Sequence, residues 1–344
     1  MIKLFTSHEL LTPQNRGKVH PLLFDLCYFE HTHPSLNEKY ALVDQPVLAD
    51  AFIFPIDFLQ IKTKSEKNGY QQLYKLAQLN HKKLMVYTGG DYGKSFHDPT
   101  IMVWRTGGFK SSNDDQTIVI PAFINDPVQH QQVALNFLPY MKDPHISFTG
   151  FATPGLKERA RVYAATLKNN LLRKLGRDRS DYQDFYNAAG ERHKYLKQLE
   201  ASSNVHTDFI YRNKYRAGAR TAQERETSTA TFFENLQDSP YTFCMRGAGN
   251  FSVRFYESLA SGRIPVLIDT DCALPLENTM EWQKHVCVID PKKNIVEQLR
   301  SFHHEWNEES FKHLQESNRR LYEDFLIRDR FFYHLYYQLK PKLK

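Results

Sequence analysis

Apolar runs recur through the first third of the chain at spacings that leave room for a helix between them. Residues 2–5, 51–55, 83–87 and 117–121 are each mostly aliphatic or aromatic, the length of a buried strand. Within residues 69–80, Leu73, Leu76, Ala77 and Leu79 recur every few positions, so one face of a helix there is expected to be buried. Strand, helix, strand is the grammar of a doubly wound parallel sheet. Residues 135–145 break the pattern with Pro139 and Pro144 and read as a linker.

A second set follows. Residues 146–150 form a strand ending in Gly150, and a long helix is expected over 156–175, with Arg159 and Arg161 in its early turns. Strands at 208–211, 265–268 and 286–289 and helices to the end complete it. This pattern predicts an α/β chain of two nucleotide-fold domains, residues 1–142 and 143–325, with a cleft between them.

Near residue 243 a short apolar strand, Phe243-Cys-Met, leads into Arg246-Gly247-Ala248-Gly249 and then a helix carrying Ser252, Arg254 and Glu257. A glycine turn feeding a helix N-terminus gathers unpaired N–H groups and the positive end of the helix dipole at one spot, which suits an anion. Arg246 and Arg254 add forked cations matched to phosphate. Glu257, about a turn into the helix, is placed to accept from a ribose, and phosphate beside ribose means nucleotide. Ser252 suits both a phosphate contact and a helix N-cap. Arg161, or Arg159 before it, is a candidate to reach the same phosphates from the long helix.

Composition narrows the classes. In 344 residues, 41% hydrophobic and 24% charged positions describe a globular chain with room for two cores. The net charge of +6 is compatible with nucleic acid, but the cations are scattered among acids and no nucleic-acid motif appears. A phosphorylated small molecule or an anionic membrane face accounts for the same charge. Cys27, Cys244, Cys272 and Cys287 make no CxxC pair, which argues against a metal site or disulfide framework and for a reducing compartment. The opening Met-Ile-Lys-Leu-Phe reads as an immediate first strand, so no signal peptide is expected, and no apolar run approaches twenty residues.

Residues 243–282 resemble the signature block of the exostosin-type glycosyltransferases. Their pattern is a Phe-Cys strand, Arg-Gly-x-Gly, Ser-x-Arg-x-x-Glu-Ala-Leu, a Gly-x-Ile-Pro-Val-Ile strand, and a Leu-Pro-Phe turn ending in Asp-Trp. This chain has Arg246-Gly247-Ala248-Gly249, Ser252-Val253-Arg254, Glu257-Ser258-Leu259, Gly262-Arg-Ile-Pro-Val266, Leu274-Pro275-Leu276 and Glu281-Trp282. Residues 49–55 are similar to the family's Ala-Asp-Phe-Pro strand, and Asp91-Tyr92-Gly93 to its Asp-x-Gly loop, although the His usually upstream of that loop is missing. The resemblance implies the GT-B architecture of two facing Rossmann-like domains, inversion at the anomeric carbon and no obligatory metal. It also implies a terminal helix, residues 326–344, that crosses back to brace the first domain. The mixture of Phe, Tyr, Leu, Arg and Lys in that tail would also suit a membrane surface. Eukaryotic members begin with a membrane anchor; its absence here suggests a bacterial or viral enzyme on the cytoplasmic side.

The expected reaction is transfer of a sugar from a nucleoside diphosphate, UDP first, to a glycan or glycolipid acceptor in surface polysaccharide or glycolipid synthesis. Nucleic acid is not an expected partner; peripheral membrane association is compatible with the charge. Arg246, Gly247, Gly249, Ser252, Arg254 and Glu257 would hold the donor, assisted by Arg161. Asp269-Thr-Asp271 has the spacing of a divalent-metal motif. Arginines and helix amides already serve the diphosphate, so no metal or other cofactor is expected and Asp271 becomes a candidate sugar contact. The base must come from the facing domain. Asp91 is the first choice, ahead of Glu9, His8 and Asp57. The fifteen histidines form no metal cluster. The alternatives are a GDP-sugar, fucosyltransferase-like enzyme and a catalytically inactive nucleotide- or glycan-binding module.

Overall fold

A computed structural model describes residues 1–28, 33–130, 132–214 and 218–343. The first sheet contains β1 (Ile2–Phe5), β2 (Tyr40–Leu42), β3 (Ala51–Ile53), β4 (Lys83–Tyr87), β5 (Ile101–Arg105) and β6 (Thr117–Val119). All its pairings are parallel, in the order β2-β1-β3-β4-β5-β6. β3 and β5 are buried at every position, as expected for parallel strands covered on both faces. Helices α1 (Pro21–Cys27) and α2 (Lys64–Leu79) lie among these strands. A reciprocal cap starts α2: Glu66 N–H donates to Thr63 Oγ1 at 3.2 Å, and Thr63 N–H donates to the Glu66 carboxylate at 3.0 Å. Leu73 and Ala77 are buried beneath the helix, but Leu79, expected on the same face, is 66% exposed. It is the last helical residue, where the chain is already turning away.

The second sheet contains β7 (His145–Phe151), β8 (His206–Arg212), β9 (Tyr241–Cys244), β10 (Ile264–Ile268) and β11 (Cys287–Ile289), again all parallel, in the order β11-β10-β9-β7-β8. Its helices are α3 (Leu156–Lys174), α4 (Ala188–Glu200), α5 (Ala222–Gln237), α6 (Val253–Ala260), α7 (Ile295–His304) and α8 (Glu308–Leu321). Counted from its own first strand, this five-stranded sheet repeats the order of the first five strands of the other. In each, the order reverses beside the first strand, between β1 and β3 and between β7 and β9. The crevice at the carboxyl ends of such a switch point is where this topology leaves space for a ligand. Two doubly wound sheets facing one another are the GT-B architecture.

After α8 the chain makes a π-helical turn, Tyr322–Leu326, and an extended residue, Ile327, redirects it into α9 (Arg328–Lys342). α8 packs Phe311 and Leu314 on the second sheet, whereas α9 buries Phe331, Phe332, Leu335, Tyr336 and Leu339 in the core of the first. Tyr40 donates to the Phe332 carbonyl at 2.8 Å, and the N-terminal ammonium donates to Tyr336 Oη at 3.0 Å. At about 1.5–3 kcal/mol for each large apolar side chain removed from water, this docking outweighs any surface role for those residues. The tail is therefore a brace on the first sheet, with Phe331, Phe332 and Tyr336 buried and Tyr337 left 56% exposed.

Candidate active site

The carboxyl-end loops of the two sheets touch. A Cβ added to Gly249, in the turn after β9, would collide with the Asp91 carbonyl and lie 2.9 Å from Asp91 Cα, in the loop after β4. Gly249 is required because two backbones meet there. Asn250 is buried beside it, with Nδ2 at 3.0 Å from the carbonyls of Gly108, Thr270 and Asp271. Phe109 and Cys272 form an isolated antiparallel bridge. The Asp271 carboxylate accepts from the Ser111 amide at 3.1 Å and from the Ser111 hydroxyl. Asp271, at φ +61°, thus spends its carboxylate fastening one half of the molecule to the other.

The turn expected to hold phosphate lies on this seam, open at Gly247 and Ala248 and buried at Arg246 and Asn250. A Cβ at Gly247 would meet nothing within 4 Å. Ser252 occupies the N-cap position of α6 but makes no capping hydrogen bond, leaving the first amides of the helix without a side-chain cap. Arg246 is held between two rings, 4.2 Å from the Tyr186 centroid and 5.0 Å from that of Phe109 across the seam, and its Nη2 donates to the Ala248 carbonyl at 2.8 Å. Arg254 lies 4.6 Å over Phe148, and its Nη2 donates to the Thr149 carbonyl at 2.8 Å. A Cβ at Gly150 would sit 2.9 Å from that nitrogen, so the glycine one residue before the end of β7 makes room for the guanidinium. Glu257, half-buried one turn further along α6, adds a negative field that favours the Arg254 cation.

A third arginine joins them that local sequence did not reveal. Arg192 of α4 donates to the carbonyls of Phe151, at 2.5 Å, and Arg246, at 3.2 Å. Burial, then repulsion from Arg254, lowers its pKa to about 10, and burial lowers those of Arg246 and Arg254 as well. The Nε atoms of all three are buried without a hydrogen-bond partner among the described residues. Three desolvated guanidiniums and uncapped helix amides strongly favour an anion of more than one charge. Arg161, expected to contribute from α3, is not among them. It lies on the exposed face of that helix with Nε 2.8 Å from the Glu158 carboxylate, and Arg159 stands 6.0 Å from the Phe185 ring. Arg192 went unnoticed because it sits in Glu-Arg-His-Lys, a run that reads as solvated surface.

Across the seam, a cavity of about 420 Å³ opens at the carboxyl ends of the first sheet, lined by Arg16, Phe24, Tyr87, Asp91, Phe251 and Arg328 among others. Phe251 belongs to the glycine turn, so the cavity and the arginine cluster share a wall. Arg328 Nε is 2.9 Å from both oxygens of the buried Asp25 carboxylate. Asp91 stands at the mouth, and the surrounding protein pushes its carboxyl above the usual range. Asp57 is buried and fully engaged: it accepts from Leu59 N–H at 2.9 Å, Gln60 Nε2 at 2.8 Å and Gly89 N–H at 3.1 Å. His8 and Glu9 lie exposed on a 3₁₀ turn and do not line the cavity. Among the described residues, no group of three His, Cys, Asp or Glu side chains is arranged to hold a metal ion.

Two facing doubly wound sheets, one presenting a cationic glycine turn and the other a carboxylate loop beside a cavity, define a protein of the GT-B class. The family model "Exostosin GT47 domain" matches residues 28–303, well over half of the chain, and the chain belongs to that family. Among solved structures it is similar to TarM, at 10% identity and TM-score 0.35 over 86% of this chain and 56% of that one. It is also similar to the GtfA/B complex, at 10% and 0.36 over 86% and 57%, and to WaaG, described as a glycosyltransferase involved in lipopolysaccharide biosynthesis, at 11% and 0.32 over 82% and 86%. The chain spans a little over half the length of the first two. No curated protein matches it.

Proposed function

We propose that this protein is an inverting, metal-independent glycosyltransferase that moves a sugar from a nucleoside diphosphate, UDP in first place, to a glycan or glycolipid acceptor. The observation that carries the reading is the contact of Gly249 with Asp91, which sets a multiply cationic turn directly against the loop of a carboxylate. As the glycosidic bond to phosphate breaks, negative charge grows on the departing diphosphate. Arg192, Arg246, Arg254 and the amides at the start of α6 are fixed where they would stabilise that charge without reorganising. Four cationic and dipolar groups already serve a role a divalent ion would otherwise fill. Glu257 binds the ribose in this reading, and Asp271 steadies the donor side through Ser111.

Asp91 takes the proton from the acceptor hydroxyl as its oxygen attacks the anomeric carbon from the face opposite the diphosphate, which inverts that centre. A carboxyl pKa raised above the ordinary value makes a better proton acceptor than a free carboxylate. The cavity beside Asp91 is the acceptor site, with aromatic walls in Phe24, Tyr87 and Phe251. No helix among the described residues is long and apolar enough to cross a membrane, and the four cysteines are unpaired. The thiols support a reducing compartment and synthesis of a surface glycan from its cytoplasmic side.

Calorimetry with UDP and GDP tests the donor assignment. UDP should bind the full chain, and Glu257→Ala should weaken it by about tenfold or more through loss of charge-assisted hydrogen bonds. Equal binding of UDP by Glu257→Ala would remove the ribose role, and preference for GDP would replace the donor.

A further inference from the structure

Helix α3 is amphipathic in the wrong sense for a helix that covers a sheet. Leu156, Tyr163, Leu167 and Leu171, with Leu175 at the C-cap, recur at intervals of seven or four residues and therefore share one face. All five are between 52% and 84% exposed. Polar groups anchor the helix to the body. Asn170 is the helix's one buried residue; its Nδ2 donates to the Gln183 carbonyl at 2.7 Å and its Oδ1 accepts from Arg173 at 2.7 Å. Arg173 also donates to Ser180 Oγ at 3.0 Å and lies 4.8 Å over the Tyr92 ring. A polar network thus holds the helix to the body while its apolar stripe faces outward.

The charge pattern says what would cover that stripe. The helix carries Lys157, Arg159, Arg161, Lys168 and Lys174 on its outer sides against one acid, Glu158, while Arg173 is turned inward and paired with Asp178 at 3.4 Å. Lys157, Arg161 and Lys168 flank the stripe at helical spacing, and Glu158 compensates only Arg161. A second copy of the same face would bring two strongly cationic helices together, which repulsion opposes. A layer of lipid phosphates over hydrocarbon complements both parts, because leucines enter the acyl boundary while lysine and arginine stems reach up to the phosphates.

We propose that α3 docks the protein on an anionic lipid surface, with its leucine and tyrosine stripe in the interface and its flanking cations on headgroup phosphates. The helix is about 29 Å long at ~1.5 Å per residue, enough to fix an orientation against a bilayer. The proposal does not rest on the sugar-transfer reading, because vesicle binding needs neither donor nor acceptor.

Co-sedimentation of the full chain with vesicles of phosphatidylcholine, with and without phosphatidylglycerol, tests it. The chain should pellet with the anionic vesicles, stay in solution with the zwitterionic ones, and be released as salt rises. Paired Leu167→Ser and Leu171→Ser should cut partitioning by about tenfold or more, since both side chains then forgo burial. Paired Lys157→Glu and Lys168→Glu should remove the anionic preference. Circular dichroism and thermal midpoint should match the parent for both variants, because these positions are exposed. Failure to pellet with anionic vesicles, or full binding by the leucine variant, would overturn the proposal. So would a concentration-dependent dimer that the leucine variant abolishes in a chain that ignores vesicles, which would assign the face to a second copy.

Discussion

The two sheets are built to one plan, yet their facing edges carry different chemistry. Both reverse strand order beside their first strand, and both open their carboxyl ends toward the seam. The second edge buries three guanidiniums whose charge burial disfavours. The first buries the carboxyls of Asp25 and Asp57 and partly desolvates that of the more exposed Asp91, each raised above the ordinary carboxylate range by the same cause. One desolvation effect acting on opposite charges produces an anion-seeking wall and a proton-accepting wall. Topology supplies two equivalent crevices, and a few side chains decide what each one does.

That contrast is most easily broken at Asp91. Asp91→Asn should lower kcat by about 10²–10⁴ by removing the proton acceptor, while nucleotide affinity measured by calorimetry stays unchanged. In the parent, activity requires the deprotonated carboxyl. A raised folded pKa therefore places the acid limb of the kcat–pH profile above the ordinary carboxylate value, and activity is lost as pH falls through it. A limb at or below that ordinary value, or retained kcat in the variant, would take the base role away from Asp91.

On the opposite wall, Arg254→Met should reduce kcat/KM by about 10²–10³, with weaker diphosphate binding as well. Arg254→Lys should restore little, because a lysine lacks the forked donors that span Thr149 and an anion from above Phe148. Rescue by lysine would mean that charge alone matters there.

Where the walls meet, Gly249→Ala must push the turn away from the Asp91 loop, since the new methyl would overlap the Asp91 backbone. The expected cost is about 1–3 kcal/mol of stability, read as a thermal midpoint lower by several degrees, with kcat falling alongside. Gly247→Ala, facing open space, should leave the midpoint nearly unchanged. Equal effects at the two glycines would show that the seam is not packed as described. The smallest effect belongs to Ser111→Ala. It removes one hydroxyl bond to Asp271 at an exposed position, worth under about 1 kcal/mol, and a few-fold rise in donor KM would show that this clasp positions the turn.

How much of this was legible in the chain differs between the halves. The run from β9 through α6 to β10 is contiguous, so the glycine turn, Ser252 and Arg254 could be placed from spacing, while the role given to Glu257 needed the family resemblance of the surrounding block. β1 and β4 matched their apolar runs, and residues 51–55 and 117–121 hold the shorter β3 and β6. β2 and β5 were missed, because Tyr-Ala-Leu is too short to signal a strand and β5 follows a polar stretch around Asp98 and Pro99. The fall of Arg192 and Arg161 was reversed: both sit in charged helical runs, and only the packing of α4 turns one of them inward. The tail shows the same limit from the other side. Its aromatics suited a membrane as well as a core until α9 was seen to bury Phe331, Phe332 and Tyr336.

Local order along the chain determined the periods of strand and helix, the glycine turn and the chemistry of the helix that follows it. These depend on neighbours within one or two turns, so short-range sterics and hydrogen bonding decide them. Tertiary structure alone decided which arginines lost their water, which loop met Gly249, and which apolar surface, α9 or α3, was left for solvent. Those outcomes depend on the residue opposite, tens to hundreds of positions away, because desolvation acts through space and carries no mark in the sequence on either side.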